Sequence, residues 1–279
     1  MREREAITTA DFNYIRDLVR DQSALTLETG KEYLLEARLD PLARREGFAS
    51  CGHLVRRLRT GPFTDLHRRV VEAMTNNETT FFRDPRVFGM LANSVLPSLL
   101  AARSAERSLT IWCAACSTGQ EPYSVAMLLR EHQPSLDGWR IRIVASDISR
   151  GVLARARAGR YSQVEINRGL PASRLVKYFS QHGSTWELSP EIRQMVEFRE
   201  INLIQSWQHL PAVHLILMRN VLIYFDMAAK RSILEKAGQL LDPRGYLVLG
   251  GAETTTNLDD SFEPVSFGGA VFFRPRASR

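Results

Sequence analysis

A short glycine-bearing turn carries the first residues whose types and spacing could do chemistry. The run from Leu109 to Ala115 is apolar and typical of a strand, Gly119 lies in the following turn, and Pro122 stands near the start of a helical pattern. The free amides of a helix N-terminus favour an anionic group, and a glycine lets that group approach the backbone. Asp147 ends the next strand-like run, Ile141 to Ala145. An acid there can accept hydrogen bonds from both hydroxyls of a ribose.

These residues together indicate an adenosine-containing ligand at the carboxyl ends of parallel strands. The chain has no G-x-G-x-x-G pattern at this turn, so a dinucleotide fits poorly. The alternative is a strand-ending turn followed by an aspartate that only caps a helix.

Two further polar runs could contribute to the same site. Residues 75–85 combine amides, hydroxyls and an arginine with Phe81 and Phe82, so hydrogen-bonding groups lie beside stacking groups. Residues 218–226 follow an apolar strand, where the ligand crevice of such a sheet lies, and include Tyr224. The alternatives are a capped loop that buries the two phenylalanines, and a strand end with a half-buried tyrosine.

The pair Cys113 and Cys116 needs weighing because W-C-x-x-C also occurs in thiol oxidoreductases. In those proteins the first cysteine opens a helix, whereas Cys113 falls inside the apolar strand. A structural zinc site would need two more ligands at matching spacing, which the sequence lacks. We therefore expect small buried apolar residues here, and no metal.

The elements that position these residues are those of an ordinary globular protein. The chain has 279 residues, 44% of them hydrophobic and 24% charged, with a net charge of +6. This composition excludes disordered and low-complexity classes and allows one large domain or two modest ones. No apolar run approaches the roughly 20 residues of a membrane span, and the charged N-terminus does not resemble a signal peptide. We expect the protein in the cytosol.

Three regions differ in pattern. Residues 1–75 repeat apolar positions at helical spacing, with Thr8 and Asp11 as a cap, and predict a small helical domain. Residues 76–279 alternate strands with helices, which predicts an α/β domain with a parallel sheet. Residues 160–195 interrupt that alternation with turn-forming residues and are interpreted as a small insertion.

The positive charge is concentrated in residues 38–69, which hold eight arginines against three acidic residues. This stretch is either a docking face for an acidic partner or a solvated helix surface.

Five motifs closely resemble, in order and spacing, those of the chemotaxis receptor methyltransferases, the CheR family. They are N-N-E-T-T-F-F-R-D, W-C-A-A-C-S-T-G-Q-E-P-Y-S, A-S-D-I-S, I-N-L and R-N-V-L-I-Y-F. The resemblance runs across nearly the whole chain; Gln120 departs from the family, which often has Glu there, whereas Glu121 matches. It implies a Rossmann-like S-adenosylmethionine-dependent methyltransferase domain, with a small all-helical N-terminal domain and a small β-subdomain insertion.

The resemblance also implies the reaction and the partners. The donor would be S-adenosylmethionine, giving S-adenosylhomocysteine, and the acceptors glutamates in the cytoplasmic helical methylation region of chemotaxis receptors. A glutamate carboxylate is already ionised at pH 7, so no general base is needed. We expect a monomer that binds no nucleic acid and does not insert directly into a membrane. Residues 181–187 are short for a member that binds a receptor C-terminal pentapeptide, so no such tether is expected.

Site residues are carried over by motif. Arg83 and Tyr224 resemble the groups nearest the transferring methyl, Glu121 the partner of the methionine ammonium, and Asp147 the ribose acid. On helix 32–46, Arg38, Arg44 and Arg45 resemble the receptor-facing surface. The remaining cofactor-binding residues implied by the family are Asn77, Thr79, Asn202, Leu203, Arg219 and Asn220, with Arg83 counted among them.

Two rival functions stay open. One is a methyltransferase acting on another acceptor, including nucleic acid, although Arg219-Asn220-Val221-Leu222 lacks the N/D-P-P-Y/F motif of amino-methylating DNA enzymes. The other is a module that binds S-adenosylmethionine without catalysis and signals through the helical domain.

Overall fold

The computed structural model describes residues 7–28, 30, 32–131 and 136–276. By its internal contacts the chain divides into two compact units. One comprises the residues up to Asn76 together with Tyr224–Ala229, and the other comprises Asn77–Ile223 together with the chain from Lys230 onward.

The first unit is helical, as the apolar spacing predicts. Its helices are α1 (Thr9–Ser23), α2 (Glu32–Arg45), α3 (Cys51–Arg59) and α4 (Asp65–Met74). Thr8 and Asp11 form the expected capping box, each side chain accepting from the other residue's backbone N–H. The apolar faces meet in one core, whose fully buried members include Ile15, Val19, Leu35, Leu39, Leu54, Val55 and Val70.

The second unit is built on a seven-stranded sheet. Its strands are β1 (Ser108–Ala114), β2 (Arg140–Asp147), β6 (Val196–Glu200), β7 (Val213–Met218), β8 (Leu241–Leu249), β9 (Phe262–Phe267) and β10 (Ala270–Pro275). The strand order is β6-β2-β1-β7-β8-β10-β9. The first five of these are parallel, whereas β10 runs antiparallel to both β8 and β9. The predicted parallel sheet is thus confirmed for these five strands, and two antiparallel strands that the sequence did not reveal extend it at the C-terminal edge.

The central strands β1 and β7 are buried except at Ser108, which explains why their sequences are nearly continuous apolar runs. The helices of this unit are α5 (Pro85–Met90), α6 (Leu96–Ala102), α7 (Gln120–Glu131), α8 (Arg150–Ala158) and α12 (Met227–Leu240), the last beginning in the segment that packs with the helical unit. A π-helical segment, Leu91–Val95, joins α5 to α6.

A small second sheet lies where the sequence predicts an insertion. It consists of β3 (Arg160–Ser162), β4 (Phe179–His182) and β5 (Thr185–Leu188), paired antiparallel in the order β3-β5-β4. Short helices accompany it: α9 (Gln163–Asn167), α10 (Ala172–Tyr178) and α11 (Pro190–Arg193).

None of the helices in the described ranges combines the length and the apolar character that a membrane span requires.

Candidate active site

Most of the polar residues singled out in the α/β part of the sequence lie at or after the carboxyl ends of parallel strands, whereas Asn77, Thr79 and Arg83 lie in the segment between α4 and α5. The chain passes from β1 to β2 and β6 on one side, then returns to β7 and β8 on the other, so the strand order reverses beside β1. Loops after parallel strands diverge at such a reversal and leave a crevice, the general ligand site of open α/β sheets.

The turn from β1 into α7 has an unusual backbone. Ala115, Ser117 and Gly119 all have positive φ angles, of 52°, 51° and 91°. A Cβ atom on Gly119 would lie 3.0 Å from the Cβ of Ala156 and 3.1 Å from the Tyr123 ring. Glycine is therefore required here by both conformation and packing, and the turn approaches α8 closely.

Ser117 joins two residues that the sequence predicts to bind cofactor. Its backbone N–H donates to the Asp147 carboxylate at 2.9 Å, and its hydroxyl donates to the Asn77 carbonyl at 2.7 Å. The other Asp147 oxygen accepts from the Ser149 N–H at 3.0 Å. Asp147 is buried and fixed in orientation at the end of β2. The sequence alone does not single out Ser117, because its contacts with Asp147 and Asn77 depend on its left-handed backbone conformation.

The loop after β6 reaches the same edge. The Ile201 N–H donates to the Asp147 carbonyl at 3.1 Å, which brings Asn202 and Leu203 next to the end of β2. The Asn202 side chain accepts from the Ile204 N–H.

Lys236, on α12, supports this loop. Its ammonium donates to the carbonyls of Leu203 at 2.6 Å and Gln205 at 2.9 Å, and lies 4.6 Å from the Trp207 ring centroid. Burial lowers the pKa of the Lys236 ammonium. Lys236 was not predicted from the sequence, since nothing local reveals its contact with a loop about 30 residues earlier.

Arg219 lies at the centre of a charge cluster. Its Nη1 donates to the Glu121 carboxylate at 2.9 Å, its Nη2 to the Asp84 carboxylate, and its side chain is 1% exposed. The guanidinium also lies 5.8 Å from the Phe88 ring centroid. The Arg219 side chain thus binds two carboxylates of this chain, and its contact with a cofactor stays a prediction.

Glu121, in the first turn of α7, is buried. Burial raises the pKa of its carboxyl and outweighs the opposing effects of Arg219 and Arg83, while Glu253 raises it further. Arg83 is half-buried, its Nη1 donates to the Glu78 carbonyl at 3.2 Å, and it acts electrostatically on Glu121. Thr79 lies half-buried in the same segment.

Asn220 follows β7 in a left-handed conformation, with φ 58°. Its side-chain oxygen is buried and has no hydrogen-bond partner within the described chain. A buried acceptor without a partner is costly, so this atom fits a donor group supplied by a ligand.

Backbone strain is concentrated in the segments that carry these residues. Phe82 and Asp84 also have positive φ angles, of 47° and 61°. With Ala115, Ser117 and Asn220 they place left-handed residues other than glycine in three of the polar segments, those before α5, after β1 and after β7. Such strain persists where surrounding contacts enforce it and is typical of functional sites.

Tyr224 packs with the helical unit. Its hydroxyl accepts a hydrogen bond from the Asn76 side-chain amide at 2.6 Å, and its carbonyl accepts from the Thr26 N–H at 3.0 Å. Phe225 forms an isolated antiparallel bridge with Leu25. The catalytic role of Tyr224 stays a prediction, while the contact with Asn76 was not anticipated.

The remaining alternatives are resolved by burial. Cys113 and Cys116 are buried free thiols, and burial raises both pKa values well above the ordinary range. They are therefore the inert apolar residues that the strand pattern favours. Phe81 and Phe82 are also buried, as expected for the loop that buries the two phenylalanines: the Phe81 ring packs on Tyr161 and the Phe82 ring on Phe88.

The three arginines of α2 differ in their surroundings. The Arg44 side chain is 70% exposed, and its Nη2 lies 3.9 Å from the Asp40 carboxylate. Arg45 is exposed as well. Arg38 is half-buried and donates to the carbonyls of Met74 and Thr75 at the end of α4. Arg38 thus has a structural role in the helical unit, whereas Arg44 and Arg45 present their charge to solvent.

A mainly parallel sheet with an acid at the end of its second strand and a crevice at its strand reversal is the architecture of Rossmann-like nucleotide-binding domains, a class that includes the S-adenosylmethionine-dependent methyltransferases. Two family models match this chain: the CheR methyltransferase all-alpha domain over residues 10–75 and the CheR methyltransferase SAM binding domain over residues 77–270. The chain therefore belongs to the CheR methyltransferase family and is an S-adenosylmethionine-dependent methyltransferase of the chemotaxis type.

Several relatives are similar over nearly their whole length. Chemotaxis protein methyltransferase 1 of Pseudomonas aeruginosa is 40% identical over 271 residues, covering 96% of this chain and 98% of the relative. Chemotaxis protein methyltransferase Cher2 of Pseudomonas putida is 37% identical, covering 95% of this chain and 98% of the relative. Chemotaxis protein methyltransferase 1 of Vibrio cholerae is 38% identical, with coverages of 96% and 98%.

Proposed function

We propose that this protein transfers the methyl group of S-adenosylmethionine to glutamate side chains of chemotaxis receptors, giving glutamyl methyl esters and S-adenosylhomocysteine. The observation that carries the proposal is the arrangement around Asp147. The end of β2, the polar segment at Asn77 and the β1–α7 turn are joined there by Ser117. In a chain of this family, that arrangement fits the ribose end of the methyl donor.

The residues present fit the donor molecule. The Asp147 carboxylate would hold the ribose, and Asn202 and Leu203 would lie near the adenine. Glu121 provides a buried negative charge for the methionine ammonium, and Asn220 offers a buried oxygen that lacks a partner in the described chain. The other residues assigned to donor binding are Asn77, Thr79, Arg83 and Arg219.

The chemistry needs orientation more than proton transfer. S-adenosylmethionine, when bound, supplies a methyl group on a cationic sulfonium, which is already a strong electrophile. A receptor glutamate has an ordinary pKa near 4.3, so its carboxylate is ionised at pH 7 without a general base. The chain's residues therefore act by aligning the carboxylate, a contribution of up to roughly 7–11 kcal/mol.

Arg83 and Tyr224 are the residues proposed to position the acceptor. The Arg83 guanidinium steers the incoming carboxylate, and the Tyr224 hydroxyl donates a hydrogen bond near the reacting groups while accepting one from Asn76. Negative charge on the carboxylate is consumed during transfer, so an over-strong bond to Arg83 would stabilise the ground state and slow the reaction.

The two parts of the chain take different tasks in this proposal. Residues 1–75 face the receptor through α2, where Arg44 and Arg45 present their charge and Arg38 also holds the end of α4. Residues 76–279 bind the donor, with 160–195 as the β-subdomain. The helical methylation region of a receptor is the partner, and the protein acts as a cytosolic monomer without metal. We expect no binding of a receptor C-terminal pentapeptide. Calorimetric titration of the protein with such a pentapeptide should therefore give no heat of binding.

The decisive experiment uses methyl-labelled donor and a receptor cytoplasmic fragment. We expect label on the fragment that is released by mild alkali, because carboxyl methyl esters hydrolyse in base. A fragment with its methylation-site glutamates changed to alanine is the matched control and should stay unlabelled. Alkali-stable label would indicate another acceptor, and donor binding without turnover would indicate a sensing module.

A further inference from the structure

The carboxylate of Glu253 gathers backbone amides from two separate strand ends. It accepts from the N–H groups of Gly250 at 2.6 Å, Asn220 at 2.8 Å, Val221 at 2.8 Å and Ile223 at 3.3 Å. Each of its two oxygens accepts two of these hydrogen bonds. Gly250 follows β8 directly, and the other three residues follow β7, so Glu253 ties the two neighbouring strand ends together.

The segment after β7 depends on this carboxylate for its conformation. Asn220 is left-handed, which costs a non-glycine residue energy unless contacts enforce it. Glu253 accepts three amides from residues 220–223, and amides left without partners inside the protein would add a further penalty. On the preceding residue, Arg219 is held by Glu121 and Asp84. The segment is therefore held at its start by the Arg219 side chain and along its length by Glu253.

Gly250 allows the side chains of Asn220 and Glu253 to pack closely against its backbone. A Cβ atom at this position would lie 2.7 Å from the Asn220 side-chain nitrogen and 2.7 Å from a Glu253 oxygen. Real Cβ atoms do not come so close, so any side chain here would displace Asn220, Glu253 or both. Gly251, the next residue, has open space where a Cβ would stand.

What this arrangement positions is the Asn220 side chain. Its oxygen is buried and unpartnered in the described chain, which points to a donor from a bound molecule. Glu253 contacts Asn220 through the backbone N–H and not through that side-chain oxygen.

We propose that Glu253 is a positioning residue for the methyl donor: by binding the amides of residues 220–223 it sets the Asn220 side chain in the orientation that S-adenosylmethionine requires. The inference rests on the proposed function insofar as that function assigns Asn220 to the donor site. It concerns affinity for the donor and not the identity of the acceptor.

The test compares Glu253→Gln with Asp242→Asn by calorimetric titration of S-adenosylmethionine and S-adenosylhomocysteine. The change E253Q removes the negative charge and replaces one acceptor oxygen by an NH2 group, which cannot accept from the amides. We expect the Kd to rise at least about tenfold, because hydrogen bonds to a charged acceptor are lost. Asp242 lies at the opposite end of β8, where it also accepts a backbone N–H, from Arg244 at 2.9 Å. D242N should keep the Kd of the unchanged protein.

A second pair keeps the proposal testable if E253Q unfolds. Gly250→Ala should weaken donor binding in the same direction, and Gly251→Ala should not. An unchanged Kd in E253Q or in folded G250A, or an equal loss in D242N or G251A, would overturn the proposal. No receptor is present in these titrations, so a failure of the receptor-glutamate assignment is detected separately, by the alkali-lability assay.

Discussion

Arg219 and Glu121 form an ion pair at 2.9 Å in which the arginine side chain is 1% exposed. The pair joins the residue after β7 to the first turn of α7, and Asp84 adds a second carboxylate on the same guanidinium. Two polar segments that are far apart in the sequence are thereby fixed to one another at the candidate site. Breaking a buried pair leaves an uncompensated charge, which costs far more than an exposed pair contributes.

We expect Arg219→Met to lower the free energy of unfolding by about 3–5 kcal/mol, because Glu121 and Asp84 lose their buried partner. Urea denaturation followed by circular dichroism measures this. The double variant with Glu121→Gln should lose less than the sum of the two single variants.

The control for this cycle is the exposed pair Arg142–Glu197, at 2.8 Å between β2 and β6. Both side chains are more than two-fifths exposed. Arg142→Met should therefore cost less than about 1 kcal/mol. Equal losses in the two arginine variants would contradict the assignment of a buried, coupled cluster.

The central strands could be predicted from the sequence, and the edge strands could not. β1, β7 and the second half of β2 are buried, so their apolar runs are unmistakable. β6 reads V-E-F-R-E, and β9 is only partly buried, since each lies at an edge of the sheet. Edge strands are short and carry charges, which removes the apolar signal.

The same division applies to the site. Asp147 could be predicted because an acid after a buried strand is a local pattern. Glu253 lies a few residues beyond the end of β8, at the end of a turn, so no strand-ending acid marks it in the sequence. Arg219 resembles a binding residue by motif, but its burial depends on contacts with Glu121 and Asp84, which precede it in the sequence by 98 and 135 positions. Such contacts exist only in the folded chain.

Arg83→Ala should lower turnover at saturating donor about tenfold or more, because the acceptor carboxylate loses its electrostatic guide. Initial rates of label transfer to the receptor fragment measure the effect. Arg86→Ala removes the same charge from an exposed position on α5 and should retain activity. Unchanged turnover in R83A would remove Arg83 from the mechanism.

Arg44→Ala combined with Arg45→Ala should weaken receptor methylation, chiefly by raising the KM for the receptor fragment. Raising the ionic strength should have the same effect on the unchanged protein, since the Debye length falls from about 30 Å at 0.01 M to about 8 Å at 0.15 M. Donor affinity should not change in the double variant. Methylation that is insensitive to salt would contradict a charged docking face.

Arg38→Ala is a less clean test of the same surface. Because Arg38 donates to the carbonyls at the end of α4, its replacement should also destabilise the helical unit. A thermal melt distinguishes the two effects: R38A should lower the Tm, whereas the Arg44 and Arg45 variants should leave it nearly unchanged.

His214 makes the stability of the second unit depend on pH. It is buried on β7, and its Nδ1 accepts the Thr110 N–H at 2.8 Å. Burial lowers the pKa of the imidazole, and Arg103 lowers it further, against an opposing effect of Asp242. Protonation at Nδ1 would also break the bond to Thr110.

The sign follows from proton binding. An unfolded histidine titrates near pH 6.5, whereas His214 in the folded protein titrates lower. Between these two values the unfolded chain binds more protons, so this stabilisation is complete above about pH 6.5 and is lost as the pH falls towards the folded pKa. The free energy of unfolding should decrease by at most about 1.4 kcal/mol per pH unit in that window. Urea titrations at several pH values in that window measure the slope of the unfolding free energy against pH. This slope should be shallower for His214→Asn and unchanged for His182→Asn, which replaces an exposed histidine. Equal slopes in H214N and the parent protein would assign the pH dependence to other groups.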